Sequence, residues 1–354
     1  MNRPLISIIT YGRNDGYAPS YAKKVNRATT VLAGQLERAG IDAEIVFSEW
    51  NPPADRPRLL DLFEAPGRTR HVSIRGFVIG AEHHKGFVGA GERGFQGAEA
   101  ANTGIRRARG RFVLAKSSDT FYSRALIDRL AKRDLDGSTV YRANRHDIEV
   151  GDEIWDLDDA ALLAHFESLP SSIHDVIVQP GEWSLRDLHT NACGDFTLMS
   201  AEHWRYLRGY PYDATVLTLD LDSLVLHAAA AIGLSECRWP DDCRVYKPSH
   251  DNLTGSRVTQ VWADWQRRLD KLLSEKVSAR MALSARILFD YPRRHVRGVD
   301  SVTGRSIERN FVQPASRWAA GAAFQPTQPE NWGLADVALE ERILCKADWD
   351  TAPA

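Results

Sequence analysis

The chain opens with a strand–helix–strand unit, and this constrains its fold more than any other feature. Leu5-Ile6-Ser7-Ile8-Ile9-Thr10 is a continuous apolar run, suited to a strand buried on both faces. The turn-forming cluster Tyr11-Gly12-Arg13-Asn14-Asp15-Gly16 ends it. Val25, Thr29, Leu32 and Leu36 then recur at helical spacing, which predicts a helix over about residues 22–39, stopped by Gly40. Asp42-Ala43-Glu44-Ile45-Val46-Phe47 predicts a second strand. It runs into Ser48-Glu49-Trp50-Asn51-Pro52-Pro53, where the prolines forbid its continuation. Such a unit predicts a parallel α/β sheet. Ligands of these sheets sit outside the carboxyl ends of the strands. The polar clusters at Asn14-Asp15 and at Glu49 both fall there.

The same pattern recurs further on. Residues 86–97 are glycine-rich and apolar-poor, which reads as a loop. Gly89, Gly91 and Gly94 match a dinucleotide fingerprint by letters, but they follow His83-His84-Lys85 and not a strand, so they carry no such reading. Ala98, Ala101, Ile105 and Ala108 share one face of a predicted helix. Gly110 ends it, and Arg111-Phe112-Val113-Leu114-Ala115 makes a strand. That strand delivers Lys116-Ser117-Ser118-Asp119-Thr120 to the same sheet edge. Residues 139–142 predict a further strand, and residues 151–188 an acidic insertion with a helix near 159–167. Residues 195–200 predict a strand, 201–207 a short helix and 221–231 a buried helix bounded by Gly233. Residues 258–288 read as helical and rich in arginine and lysine, and the chain beyond about 291 as irregular. Residues 1–255 thus form one expected domain, and 256–354 a helical and irregular C-terminal extension.

Charge and cysteines exclude several classes. The formal net charge of −2 over 354 residues gives no basic field to gather nucleic acid. No apolar run approaches the roughly 18–20 residues of a membrane span. The apolar run after Met1 is short and has no small-residue cleavage site behind it, so no signal peptide is expected. Cys193, Cys237, Cys243 and Cys345 form no Cys-x-x-Cys pair, which fits a reducing, cytoplasmic setting. Cys237 and Cys243 with His250 read better as small buried side chains than as zinc ligands. The basic stretch at 267–297 suits a solvated helix face, with contact to an anionic membrane surface as the alternative.

Candidate chemical residues cluster at the sheet edge. Asp119 follows a buried strand and is either a hard oxygen ligand for Mg²⁺ or Mn²⁺ or a cap ahead of Tyr122-Ser123. His250, after the predicted strand Val245-Tyr246-Lys247-Pro248, is either a ligand completing that shell or a loop residue. Asp220 and Asp222 precede an apolar helix. One carboxylate there suffices as N-cap, which leaves the other for chemistry. His189-Thr190-Asn191-Ala192-Cys193-Gly194-Asp195-Phe196 is dense in polar groups. Its Gly194 suits either close approach to a ligand or a tight turn.

Together these segments resemble the GT-A glycosyltransferases, near the family-2-like and galactosyltransferase-like groups, over roughly residues 5–250. Tyr11-Gly12-Arg13-Asn14-Asp15 is similar to their first nucleotide-binding loop, and Glu49 stands where an acidic residue contacts the nucleoside. Asn102-Thr103-Gly104, followed by a strand and Asp119, is similar to the segment leading to the metal-binding Asp-x-Asp. Gly194–Ser200 with Trp204 and Gly209-Tyr210 looks like the acceptor-side segment that precedes the catalytic acidic pair.

The resemblance implies a mixed, mostly parallel central sheet flanked by helices, with a helical C-terminal extension. It implies a nucleotide-sugar donor bound through Tyr11, Arg13, Asn14, Asp15, Glu49, Asn102 and Ser118. It implies Mn²⁺ or Mg²⁺ on Asp119 and His250, and a glycan or glycolipid acceptor near His189, Asn191, Gly194 and Asp195. Asp222 or Asp220 would be the catalytic base. Two departures stand out. Ser117-Ser118-Asp119 carries one acid where the family has two, and the acidic pair reads Asp-Leu-Asp. A non-catalytic sugar- or nucleotide-binding protein and a sugar nucleotidyltransferase are the alternatives. The latter lacks here the lysine-bearing phosphate loop expected after the first strand.

Overall fold

The computed structural model describes residues 3–16, 18, 20–87, 90, 94–173, 188, 192–211, 221–248 and 313–351. The first part of the chain supplies β1 (Ile6–Gly12), α1 (Tyr21–Arg38), β2 (Ala43–Trp50), α2 (Leu59–Leu62), β3 (Arg68–Thr69), β4 (Val72–Ile79), α3 (Ala81–His84), α4 (Gly97–Arg106) and β5 (Phe112–Ala115). Next come β6 (Phe121–Tyr122), α5 (Arg124–Ala131), β7 (Thr139–Arg142), β8 (Arg145–Ile148), α6 (Asp159–Ser168) and β9 (Ser172–Ile173). Then follow β10 (Thr197–Ser200), α7 (Ala201–Leu207), α8 (Leu221–Ala231), β11 (Ser235–Arg238), β12 (Val245–Pro248), α9 (Gln313–Ala319) and β13 (Glu340–Ala347).

Among the described residues the main sheet has the order β11-β7-β10-β5-β1-β2-β4-β13-β3. Strands β5, β1, β2 and β4 are mutually parallel, which the crossover helices α1 and α4 permit. β10 runs antiparallel between β5 and β7. The mixed, mostly parallel sheet with flanking helices is the fold expected.

Alternation along the strands divides the core between the two faces. Ile9, Val46, Val113 and Met199 pack with Ala101 and Ile105 of α4, Trp204 of α7 and Val225 of α8. Ile6, Ile8, Ile45 and Leu114 pack with Leu32 and Leu36 of α1 and with Leu126 and Leu130 of α5. Ser200 caps α7 by accepting the His203 N–H. At the other end Arg208 and Gly209 turn with φ of 60° and 76°, and Gly209 N–H reaches the Trp204 carbonyl.

A second, small sheet has the order β6-β12-β8-β9. β12 lies antiparallel to β6 and parallel to β8, over an aromatic cluster of Phe121, Trp155, Phe166 and Tyr246. This pairing carries Lys247 back to the residues that follow β5.

Residues 313–351 return to the main body. β13 pairs antiparallel with β4. The Arg107 guanidinium donates to the carbonyls of Gly333, Leu334 and Val337. Part of the stretch expected as an extension thus completes the sheet. Among the described residues no helix is long and apolar enough to cross a membrane.

Candidate active site

The carboxyl ends of β1 and β5 meet the turn before β10 and the start of α8. Tyr11, the penultimate residue of β1, stands at the centre. Burial raises the pKa of its hydroxyl, and the nearby carboxylates of Asp222, Asp195 and Asp119 raise it further. These acids reach one place from different elements. Asp119 follows β5. Asp195 closes a 3₁₀ turn, Cys193–Asp195. Asp222 lies in the first turn of α8. Asp222 is half-buried and accepts the Gly194 N–H at 2.8 Å, so α8 and the turn are locked together. Arg142, fully buried on β7, donates to the Thr197 hydroxyl at 3.1 Å and holds the start of β10.

Cations answer these carboxylates. Lys247 forms an ion pair with Asp119, and Arg145 pairs with Asp195 at 2.9 Å. Desolvation pulls the Lys247 pKa down, but Asp119 and Asp195 outweigh it and hold the ammonium above its usual range. Lys116, at the end of β5, is 2% exposed. Burial pushes its ammonium down to about 7, against the pull of Asp119. Its Nζ lies 5.8 Å from the Tyr122 ring centre. Among the described residues it makes no hydrogen bond or ion pair.

Sequence reasoning passed over Lys116, Lys247 and Arg145. The signal for Lys116 was available: a lysine directly after an apolar buried strand. Lys247 and Arg145 are brought in by β12–β6 and β8–β12 pairing, which no local pattern announces.

The other expected residues divide into groups. Ser118 shares a 2.8 Å hydrogen bond with the Tyr21 hydroxyl of α1, beside Asp119. Arg13 donates to the Asn51 carbonyl at 2.7 Å and pairs with Asp15 at 3.1 Å, while Asn14 donates to the Pro57 carbonyl at 2.9 Å. These residues lie just beyond the carboxyl ends of β5, β1 and β2.

Glu49 is fully buried, and its two oxygens accept the Leu59 and Leu60 N–H groups at 2.5 and 3.1 Å. It caps α2. Burial raises its pKa, opposed by those same hydrogen bonds. Asn102 is likewise fully buried. Its Oδ1 accepts the Tyr210 N–H at 2.7 Å and its Nδ2 donates to the Tyr210 carbonyl at 3.3 Å. His189, Asn191, Asp220 and His250 lie outside the described residues.

No family model matches the sequence, and no curated protein matches it. Similar solved structures exist. One is the mannosyltransferase PcManGT from Pyrobaculum calidifontis in complex with GDP-Man and Mn²⁺. It is 15% identical over 89% of this chain and 70% of that one, with a TM-score of 0.40. Another is S. aureus TarS 1-349, at 13% identity over 69% and 60% of the two chains, TM-score 0.40. The same TarS fragment in complex with UDP-GlcNAc gives 12% identity, 70% and 59% coverage and a TM-score of 0.41. Likeness this slight transfers no residue roles.

Proposed function

We propose that this chain is a glycosyltransferase of the hexosyltransferase kind, moving a sugar from a nucleotide-sugar donor to a hydroxyl of a glycan or lipid-linked acceptor. One observation carries the reading: Asp119, Asp195 and Asp222 converge on Tyr11 outside the carboxyl ends of the parallel strands. Transfer of a glycosyl group needs carboxylates at its reacting centre, both to meet oxocarbenium-like charge and to take a proton.

In this reading Tyr11, Arg13, Asn14, Asp15 and Ser118 face the donor, and the turn at Gly194-Asp195 faces the sugar and acceptor. Asp222 takes the proton of the acceptor hydroxyl. The acceptor's oxygen bonds to the anomeric carbon as the bond from that carbon to the diphosphate breaks, and the nucleoside diphosphate leaves with the electron pair. The Gly194 N–H on the Asp222 carboxylate fixes the direction in which the base points. Glu49 and Asn102 act one step back, holding α2 and the Gly209-Tyr210 turn.

The resemblance gives the diphosphate a Mn²⁺ or Mg²⁺ on Asp119 and His250. Hard cations take several oxygen ligands. Among the described residues no three of His, Cys, Asp or Glu come together to hold a metal, and Asp119 is ion-paired with Lys247. Lys247 occupies the Asp119 carboxylate and His250 lies outside the described residues, and no step of the reading passes through a divalent cation. All four cysteines are free, which suits the reducing cytoplasm as the setting. Peripheral membrane contact would serve a lipid-linked acceptor.

The test is thermal stabilisation of the purified protein by UDP-, GDP-, dTDP- and CMP-sugars, each with and without Mn²⁺. A ligand at 100 times its dissociation constant adds about 2.7 kcal/mol. The expected result is a melting shift with one nucleotide class. No shift with any of them overturns the reading.

A further inference from the structure

We infer that Lys116 and Lys247 together seat the diphosphate of the donor, in the place a divalent cation would otherwise take. The inference rests on the transferase reading above and adds the means by which that site holds its anion.

Three observations support it. First, two of the three converging carboxylates already face a protein cation: Lys247 contacts Asp119, and Arg145 lies 2.9 Å from Asp195. A divalent ion at Asp119 would have to displace Lys247 and sit beside two ammonium groups. Second, Lys116 is 2% exposed and makes no hydrogen bond or ion pair among the described residues; it rests on the face of Tyr122, with the carboxylates of Asp119 and Asp195 acting on it from beyond bonding distance. A buried ammonium without a partner is costly. An arriving anion supplies what it lacks. Third, the two lysines are placed by rigid elements: Lys116 directly follows the central strand β5, its N–H donating to the Ile9 carbonyl at 3.0 Å, and Lys247 is fixed by pairing of β12 with β6 and β8. Both act where the parallel strands end, the position at which such sheets bind phosphate-bearing ligands. Lysine is a compact point charge with three donors, well suited to diphosphate oxygens.

The experiment is calorimetric titration of UDP, GDP, dTDP and CMP into the full chain, once in EDTA and once in Mn²⁺, for the native protein and for Lys116→Met, Lys116→Arg and Lys247→Gln. The expected result is binding of one nucleotide in EDTA with a Kd within about threefold of that in Mn²⁺. Lys116→Met should weaken binding at least about tenfold, with Lys116→Arg in between, while the melting temperature stays level or rises. If Lys116→Met fails to fold, Lys247→Gln is read in its place.

Nucleotide binding that requires Mn²⁺, or is indifferent to both lysines, overturns this inference and leaves the transferase reading standing. Absence of binding for UDP, GDP, dTDP and CMP in both buffers overturns the transferase reading itself, and this inference with it.

Discussion

The Asp222 carboxylate accepts the Gly194 N–H at 2.8 Å, and a Cβ built on Gly194 would lie 2.8 Å from the same Oδ2 atom. The residue before Asp195 must therefore be small if the base is to keep its place. Asp222→Asn keeps an acceptor oxygen for the Gly194 N–H, gives up the one that takes the Ser223 N–H at the start of α8, and cannot take a proton. Turnover should fall by about 10²–10⁴-fold with the melting temperature nearly unchanged, because general-base catalysis has that worth. Gly194→Ala should also lose turnover, by displacing the carboxylate. Initial rates of donor consumption check both. Turnover of Asp222→Asn within about tenfold of native would remove Asp222 from the role of base.

Asn102 makes two hydrogen bonds to the backbone of Tyr210 from a fully buried position, and a Cβ at Gly209 would lie 2.1 Å from its Oδ1. Asn102→Ala should destabilise the protein by about 1–3 kcal/mol, since the Tyr210 N–H is left buried and unpaired. Nucleotide affinity should move less than about threefold. Urea melts and nucleotide titration separate the two effects. A large loss of affinity at unchanged stability would return Asn102 to the donor site.

Much of the sheet was legible because local pattern and global fold agree there. β1, β2, β5 and β7 read as strands, and α7 and α8 as helices, at close to their observed bounds. β4 gave no such signal. Arg75 and Gly76 interrupt its apolar run, and only the fold explains them. Arg75 is paired with the buried Glu44 at 3.0 Å, and Gly76 gives way to Leu60, whose Cδ2 would lie 2.3 Å from any Cβ. β13 alternates weakly and follows an irregular stretch, so its pairing with β4 was hidden. At the site, Asp119, Asp195 and Asp222 were legible as acids beside strands and helix starts. The use of Glu49 and Asn102 for backbone capping was not. Nor was the supply of lysine from β12, because both depend on partners distant in sequence.

Glu44 is fully buried at the opposite end of β2, accepting from Ser7, Arg75 and Arg109. Burial raises its pKa, but Arg75 and Arg109 outweigh this and hold the carboxyl below its ordinary 4.5. A carboxyl lowered in the folded state gives stability that is complete above the unfolded value and lost as pH falls through the folded one. Glu44→Gln should therefore cost about 3–5 kcal/mol at pH 7, the usual cost of breaking a buried pair. The gap from native should close as pH falls below 4.5. Urea melts at neutral and acid pH check this. A gap that does not change with pH would mean the network depends on shape and not on charge.

The last stretch of the chain is part of the core, and its removal should be severe. Trp318, Phe324 and Trp332 are buried against the face that carries α4, α7 and α8, and β13 covers the edge of β4. Burying such side chains gives about 1.5–3 kcal/mol each. The three together rival a typical net stability of about 5–15 kcal/mol. Truncation after residue 312 would also bare the backbone groups of β4, a template for pairing with other chains. It would leave Arg107 without the carbonyls of Gly333, Leu334 and Val337. The truncated chain should aggregate on size exclusion or lose its cooperative melt. A monomeric product melting within about 1 °C of the full chain, less than the shift expected from 1 kcal/mol at this chain length, would show that this segment only decorates the sheet.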